Sequence, residues 1–258
     1  MSKNAFSLVE LSIVLVVIGL IAGGILSTKH LIRNAEVNST LTQFETYKVA
    51  VKTFKARYKA LPGDMYNAQS VWGAAGSCPG TNLTPSTDKT TCNGNGDGKI
   101  MDSWGANTYY EIFRAWQHLA NAGLIEGTYT GVYGSTGNVV HSVGGLNVPA
   151  TKITGGAFQI GSIAAYSLDP NNFPLPATNM FWLGAEVTGS LPYGILFSPK
   201  EANGIDSKID DGIPSTGKVR TPTSTFEPNC ATTNVVATAV YKISYDGIGC
   251  SLYLIDAF

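Results

Sequence analysis

The chain is poor in charge. Only 14% of its 258 residues are Asp, Glu, Lys or Arg, and 17 basic against 18 acidic side chains leave a net charge of −1. Nucleic-acid binding leaves a footprint of clustered Lys and Arg, and an acidic interaction tail leaves a block of like charge; neither is present. Histidine is scarcer still. His30, His118 and His141 are scattered through the chain and read as surface or half-buried side chains rather than general bases. No Gly-x-x-x-x-Gly-Lys-Ser/Thr phosphate loop, His-Glu-x-x-His helix or Gly-x-Ser-x-Gly nucleophile turn occurs. These absences argue against an enzyme. Trp72, Trp104, Trp116 and Trp182 read as core or loop anchors rather than a sugar-stacking platform, and no internal repeat is evident.

What the chain does have is concentrated at its start. From Phe6 to Leu26 run 21 residues, apolar but for Ser7, Glu10, Ser12 and three glycines, close to the roughly 20 that a helix needs to cross the hydrocarbon core of a bilayer. Glu10 is the anomaly, because a carboxylate at mid-membrane costs about 2.5 kcal/mol or more. A secretory signal peptide accounts for Lys3 as its basic flank, but this run is long and Glu10 interrupts its front edge. A plain signal anchor gives no reason to keep the charge. Lys29 and Arg33 offset Lys3 and the initiating amine, so charge counting leaves the orientation open.

The stretch resembles the start of type IV prepilins and type II secretion pseudopilins, in which a short basic leader ends in a small residue and is followed by Phe, with Glu four residues beyond. Here these are Lys3, Ala5, Phe6 and Glu10; Ala5 stands where glycine is commoner. The resemblance implies a leader, 1–5, cut by a membrane prepilin peptidase between Ala5 and Phe6, with methylation of the new amine. It implies that 6–26 is a membrane helix that becomes filament core. The partners implied are other copies of the chain, other pilins, the peptidase, the membrane and an inner-membrane assembly platform. The location implied is the inner membrane, then an extracellular filament or a periplasmic pseudopilus. Glu10 then acquires a task. Its carboxylate pairs with the Phe6 amine of a neighbour, and since an unpaired charge in a low-dielectric bundle is far worse than a paired one, it selects one axial register. A type II secretion pseudopilin is the alternative within this class. A membrane-anchored adhesin or enzyme that uses the leader only for export is the alternative outside it.

Beyond Leu26 the positions Val37, Leu41, Phe44, Val51, Phe54 and Tyr58 keep helical spacing, so 27–61 is expected to be an amphipathic continuation ended by Pro62 and Gly63. Gly23, Gly24 and Ser27 mark either a soft point or a site of close helix packing. The remainder, 62–258, is expected to form an extracytoplasmic α+β head, a pilin-like antiparallel sheet with long loops packed on the long helix. Helices are expected over 108–122, capped by Gly123, and from the capping box Ser198, Pro199, Glu201 to about Asp210. Strands are expected over 157–166, 180–188, 193–198, 235–245 and 250–256.

Four cysteines allow three connectivities. In an exported head disulfides are permitted, and the local pairs Cys78 with Cys92 and Cys230 with Cys250 are the expectation, four reduced thiols the alternative. The second pair resembles the C-terminal disulfide-bounded region of type IV pilins. The stretch CNGNGDGKI offers Asn93, Asn95 and Asp97 as alternating oxygens around Gly98, like the first half of a calcium loop, with Asp102 or Glu111 replacing the missing carboxylate of the second half. A plain Asn/Gly turn held by Cys92 is the competing account. Asp206, Asp210 and Asp211 form a second oxygen-rich group, more simply read as helical spacing followed by a cap at Gly212.

Overall fold

The computed structural model describes residues 7–76, 78, 88–100, 111–134, 141–162, 172–176, 178–255 and 258, without the side chains of 22–27. Its first element, α1 (Leu8–Tyr58), is a continuous helix of 51 residues, roughly 77 Å long at 1.5 Å per residue. Ser7 opens it as N-cap and Lys59 closes it in a left-handed conformation, φ 57°. Gly23 and Gly24 do not interrupt it. Among the described residues no helix is long and apolar enough to cross a membrane; of the expected segment 6–26, side chains are described for 7–21 only.

The two halves of α1 differ in what covers them. Every described side chain from Ser7 to Ile21 is exposed. From Val37 onward one face is buried, through Thr40, Phe44, Tyr47, Ala50, Val51 and Phe54, the i, i+3, i+4 spacing of a helix docked along one stripe. The head supplies the cover. Phe44 meets Phe181 edge-on at 5.4 Å, Tyr47 meets Trp116 and Phe158 at 5.3 and 5.1 Å, and Phe54 stacks with Trp72 and His118 at 6.2 Å. Each buried ring contributes about 2–3 kcal/mol by burial.

The head is α+β. A short helix α2 (Ala68–Trp72) and α3 (Glu111–Asn121) precede strands β1 (Gly156–Ser162) and β2 (Asn179–Ala185); α4 (Pro199–Ile209), β3 (Val219–Arg220) and β4 (Leu252–Ile255) follow. The strands form one antiparallel sheet in the order β1-β2-β4-β3. α3 ends as expected: Gly123 is left-handed at φ 70°, and the N–H groups of Gly123 and Leu124 return to the carbonyls of Ala120 and Leu119. The capping box at Ser198 forms, with Ser198 and Glu201 each accepting from the other's N–H.

Two expected strands are absent. Residues 193–198 make only single bridges, Gly194 with Ala185 and Phe197 with Cys250, because the segment passes from the last residue of β2 to the start of β4 rather than lying along either. Residues 235–245 fold back on 230–232 inside the Cys230–Cys250 loop, around a 3-10 turn at Val236–Thr238. β4 is already flanked by β2 and β3, so no edge on it is left for them. Of the expected 157–166, residues 163–166 lie outside the described set, as do 108–110 of the expected helix.

The turn leaving α1 is unusually tight. Gly63 has φ +85°, and a Cβ built on it falls 2.3 Å from the carbonyl oxygen of Glu111. Gly98 shares the positive φ, +83°, but has open space around it. Gly63→Ala is therefore expected to cost about 3 kcal/mol or more, and Gly98→Ala only about 1–2 kcal/mol, the backbone term alone. Thermal unfolding of the full chain in detergent checks this; equal losses contradict it.

Candidate functional site

The residues singled out by the sequence fall in four places. At the start of α1, Glu10 closes a capping box: the Ser7 N–H donates to Glu10 Oε2 at 2.9 Å, and Ser7 Oγ accepts from the Val9 N–H at 3.3 Å. Ser-x-x-Glu is legible in the sequence as a helix start. The carboxylate thus sits at the positive end of α1. Ala5 and Phe6 lie outside the described residues.

The second place is the junction of α1's exit turn, the loop 93–98 and the first residue of α3. Here the backbone N–H groups of Gly96 and Asp97 donate to Asp64 Oδ1 at 2.6 and 3.0 Å, and that of Gly98 to Oδ2 at 2.9 Å. The loop wraps an internal carboxylate as a nest. Gly94 fits because a Cβ there falls 2.3 Å from the Gly63 carbonyl oxygen. Burial raises the Asp64 pKa, the three N–H donors oppose that rise and the Asp97 carboxylate adds to it; the balance is upward.

The three expected calcium oxygens each serve a backbone donor: Asn93 accepts from Gln69, Asn95 from Asp97, and Asp97 from Lys99, at 2.8 to 2.9 Å. Glu111 Oε1 accepts from the Asn95 N–H at 2.9 Å, while Asp102 lies outside the described residues. Asp64, the centre of this junction, was not among the expected residues. Its signal was the Pro-Gly-Asp turn that follows the helix.

His118 lines the same junction from α3 and is fully buried, against the expectation of a surface or half-buried ring. Its Nδ1 accepts from the Gly63 N–H at 3.0 Å, leaving Nε2 to donate to Thr91 Oγ1 at 3.0 Å, which donates onward to Gln117 Oε1 at 2.7 Å. Burial first, and the nearby Arg114 charge second, lower its pKa to about 3. The imidazole is neutral and both nitrogens are spoken for, so it acts as a packing and orienting group. His30 is exposed and His141 half-buried.

The third place is the end of α4, where the carboxylates of Asp206, Asp210 and Asp211 bring ligand atoms within 4.8 Å of one another. Each has backbone or hydroxyl donors. Asp206 accepts from Tyr241 Oη at 2.9 Å and Gly212 N, Asp210 from the Lys218 N–H, and Asp211 from Ile213 N and Thr216 Oγ1. The group closes the turn after α4, the simpler of the two sequence readings. Burial, with the charges of Asp211 and Asp210 adding, raises the Asp206 pKa to about 7 despite the bonds from Tyr241 and Gly212.

The fourth is the cysteines. Cys78 bonds to Cys92 and Cys230 to Cys250, with Cα–Cα distances of 5.5 and 4.9 Å, so both local pairings form. Next to the second, Glu227 is buried and accepts from the Ser251 N–H and hydroxyl, the hydroxyl at 2.6 Å. Burial raises its pKa to about 8, against the pull of those donors. No sequence pattern singled out Glu227.

Compared with protein-family models, with curated proteins and with solved structures, the chain finds no match in any of the three.

Proposed function

We infer that the chain is a structural subunit of a type IV pilus-like filament, held in the inner membrane by the first half of α1, cut before Phe6, and polymerised by packing of these apolar rods with Glu10 paired to a neighbour's terminal amine. One observation carries this reading: the described side chains of α1 from Leu8 to Ile21 are exposed on every side of the helix and, apart from Glu10, Ser12 and Gly19, are aliphatic. A helix apolar all round is covered by lipid or by other helices. One face of the second half of the same helix is covered by the head, so a single rod joins an anchor to a folded body. The Cys230–Cys250 disulfide suits an exported head.

Mass spectrometry of the chain purified from assembled fibres tests this. The expected amino-terminal peptide begins at Phe6 and carries an N-methyl group; an intact Met1, or trimming beyond Leu26, contradicts the reading.

A further inference from the structure

The fold brings together lysines that the sequence keeps far apart. Between the flank of α1 and the outer edge of the sheet lies a cleft of about 320 Å³ lined by Lys48, Lys52, Lys208 and Lys218, with Glu45 as its one carboxylate. Beneath them its floor is apolar, built from the buried Phe44 and Leu254. Lys48 and Lys52 stand one turn apart on the same side of α1. Lys208 belongs to the last turn of α4, and Lys218 directly precedes β3, the edge strand of the sheet.

These cations are poorly compensated. Lys48 Nζ lies 2.7 Å from Glu45 Oε1 and 5.3 Å from the centre of the Phe44 ring. Lys208 Nζ donates to a neutral oxygen, Asn38 Oδ1, at 3.2 Å. The Lys218 backbone N–H donates to Asp210, but the ammonium groups of Lys218 and Lys52, both exposed, reach no acceptor among the described residues. Four cations therefore face one carboxylate in a chain whose net charge is −1. A cleft of one sign over an apolar floor focuses the field and concentrates ions of the opposite sign.

We propose that this cleft is a binding site for a small anion carrying several phosphate groups, held by Lys52 on the α1 wall and Lys218 on the sheet wall, with Lys48 and Lys208 adding charge. The inference rests on the head and the half of α1 docked to it, not on the anchoring read above. Lysine binds phosphate as a point charge, and no Arg, whose planar fork suits paired oxygens, lines the cleft. Several phosphates fit better than one because the cations are spread out: Lys208 bonds to Asn38, ten residues before Lys48, about 15 Å along the helix. Lipid phosphate is out of reach, since Lys48 lies 22 residues past Leu26, about 33 Å along the helix, against a headgroup layer of roughly 5–8 Å. A second copy offers no separate acidic patch, because the close group Asp206, Asp210 and Asp211 borders this same cleft through Lys218. With one wall on α1 and the other on the sheet edge, a bound anion ties the rod to the head.

The test is calorimetric titration of the full chain, in nonionic detergent at pH 7, with sodium tripolyphosphate and with inorganic phosphate. The expected result is one tripolyphosphate per chain, bound about tenfold or more tighter than inorganic phosphate. Lys52→Gln and Lys218→Gln are each expected to weaken it about tenfold, the loss of one charge-assisted contact. Lys99→Gln, at an exposed lysine on the loop around Asp64, is expected to change nothing. Thermal midpoints of the three variants, expected to match the parent, separate loss of binding from loss of fold. Equal affinity for the two anions, or equal losses in all three variants, reduces the cleft to diffuse counter-ion attraction and overturns the site. Absence of saturable binding overturns it as well. Duplex DNA that binds through Lys52 and Lys218 when tripolyphosphate does not assigns these lysines to a long polyanion and overturns the small-anion site.

Discussion

Glu10→Gln is expected to abolish incorporation into filaments while leaving cleavage before Phe6 and the folded head unchanged. The structure gives Glu10 a local task that has to be separated from the proposed one: its carboxylate accepts the Ser7 N–H and completes a capping box. Losing a cap of this kind costs about 1 kcal/mol, too little to undo a helix whose other half is docked along one face on the head. Glutamine keeps the acceptor, since Ser-x-x-Gln also makes a capping box, but removes the charge. Glu10→Ala removes both. If the carboxylate is there for a neighbour's amine, the Gln and Ala variants fail alike, because each leaves that amine unpaired in a low-dielectric bundle, at a cost of about 3–5 kcal/mol per contact. Counting fibres on cells that express each variant is the readout. Normal fibres from Glu10→Gln reduce Glu10 to a helix cap.

The second large effect concerns acidity. Burial raises the pKa of Asp206 from an ordinary 3.8 to about 7 and that of Glu227 from 4.5 to about 8. A group that holds its proton more tightly when folded favours the folded state while the proton stays on. Their contribution is therefore complete below the ordinary values and is lost as pH rises through 7 and 8. His118 works the other way: lowered from 6.5 to about 3 by burial and by Arg114, it contributes fully above 6.5 and loses its contribution as pH falls toward 3. Between pH 6.5 and 8 the two acids act alone, and below that His118 offsets one of them. Stability is expected to fall by roughly 2–4 kcal/mol from pH 5 to pH 8, or roughly 5–15 °C in midpoint for a head of this size. Thermal unfolding across that range, on the full chain in detergent, measures the slope. In the double variant Asp206→Asn, Glu227→Gln the fall is expected to vanish, leaving only the rise that His118 gives up to about pH 6.5; a parent chain that gains stability over the same range contradicts the assignment.

Sequence signals were legible where chemistry is local. Ser198, Pro199 and Glu201 fixed the start of α4, Gly123 ended α3, and the helical spacing from Val37 to Tyr58 marked the face of α1 that the head covers. The cysteine pairs followed from spacing once export was assumed. The misses are long-range. Val235 to Tyr245 alternates like a strand, yet the disulfide returns it on itself and β4 offers it no free edge. Asp64 follows Pro62 and Gly63 in a plain turn sequence, and only the approach of residues 94–98, some thirty positions on, makes it the centre of a nest. Asp206, Glu227 and His118 owe their altered acidity to burial that no local pattern announces. The four residues from Ser7 to Glu10 also spell Ser-x-x-Glu, a local helix-start signal that the capping box at Ser7 realises.

The central claim is that the rod from Phe6 to Leu26 is the core of a polymer registered by one ion pair. A helical reconstruction of the fibres by electron cryomicroscopy tests it most directly. The account predicts apolar rods bundled on the axis, heads outside, and the Glu10 carboxylate within about 4 Å of the Phe6 amine of an adjacent copy. A map with these rods off the axis, or with Glu10 facing solvent and no amine near it, contradicts the account.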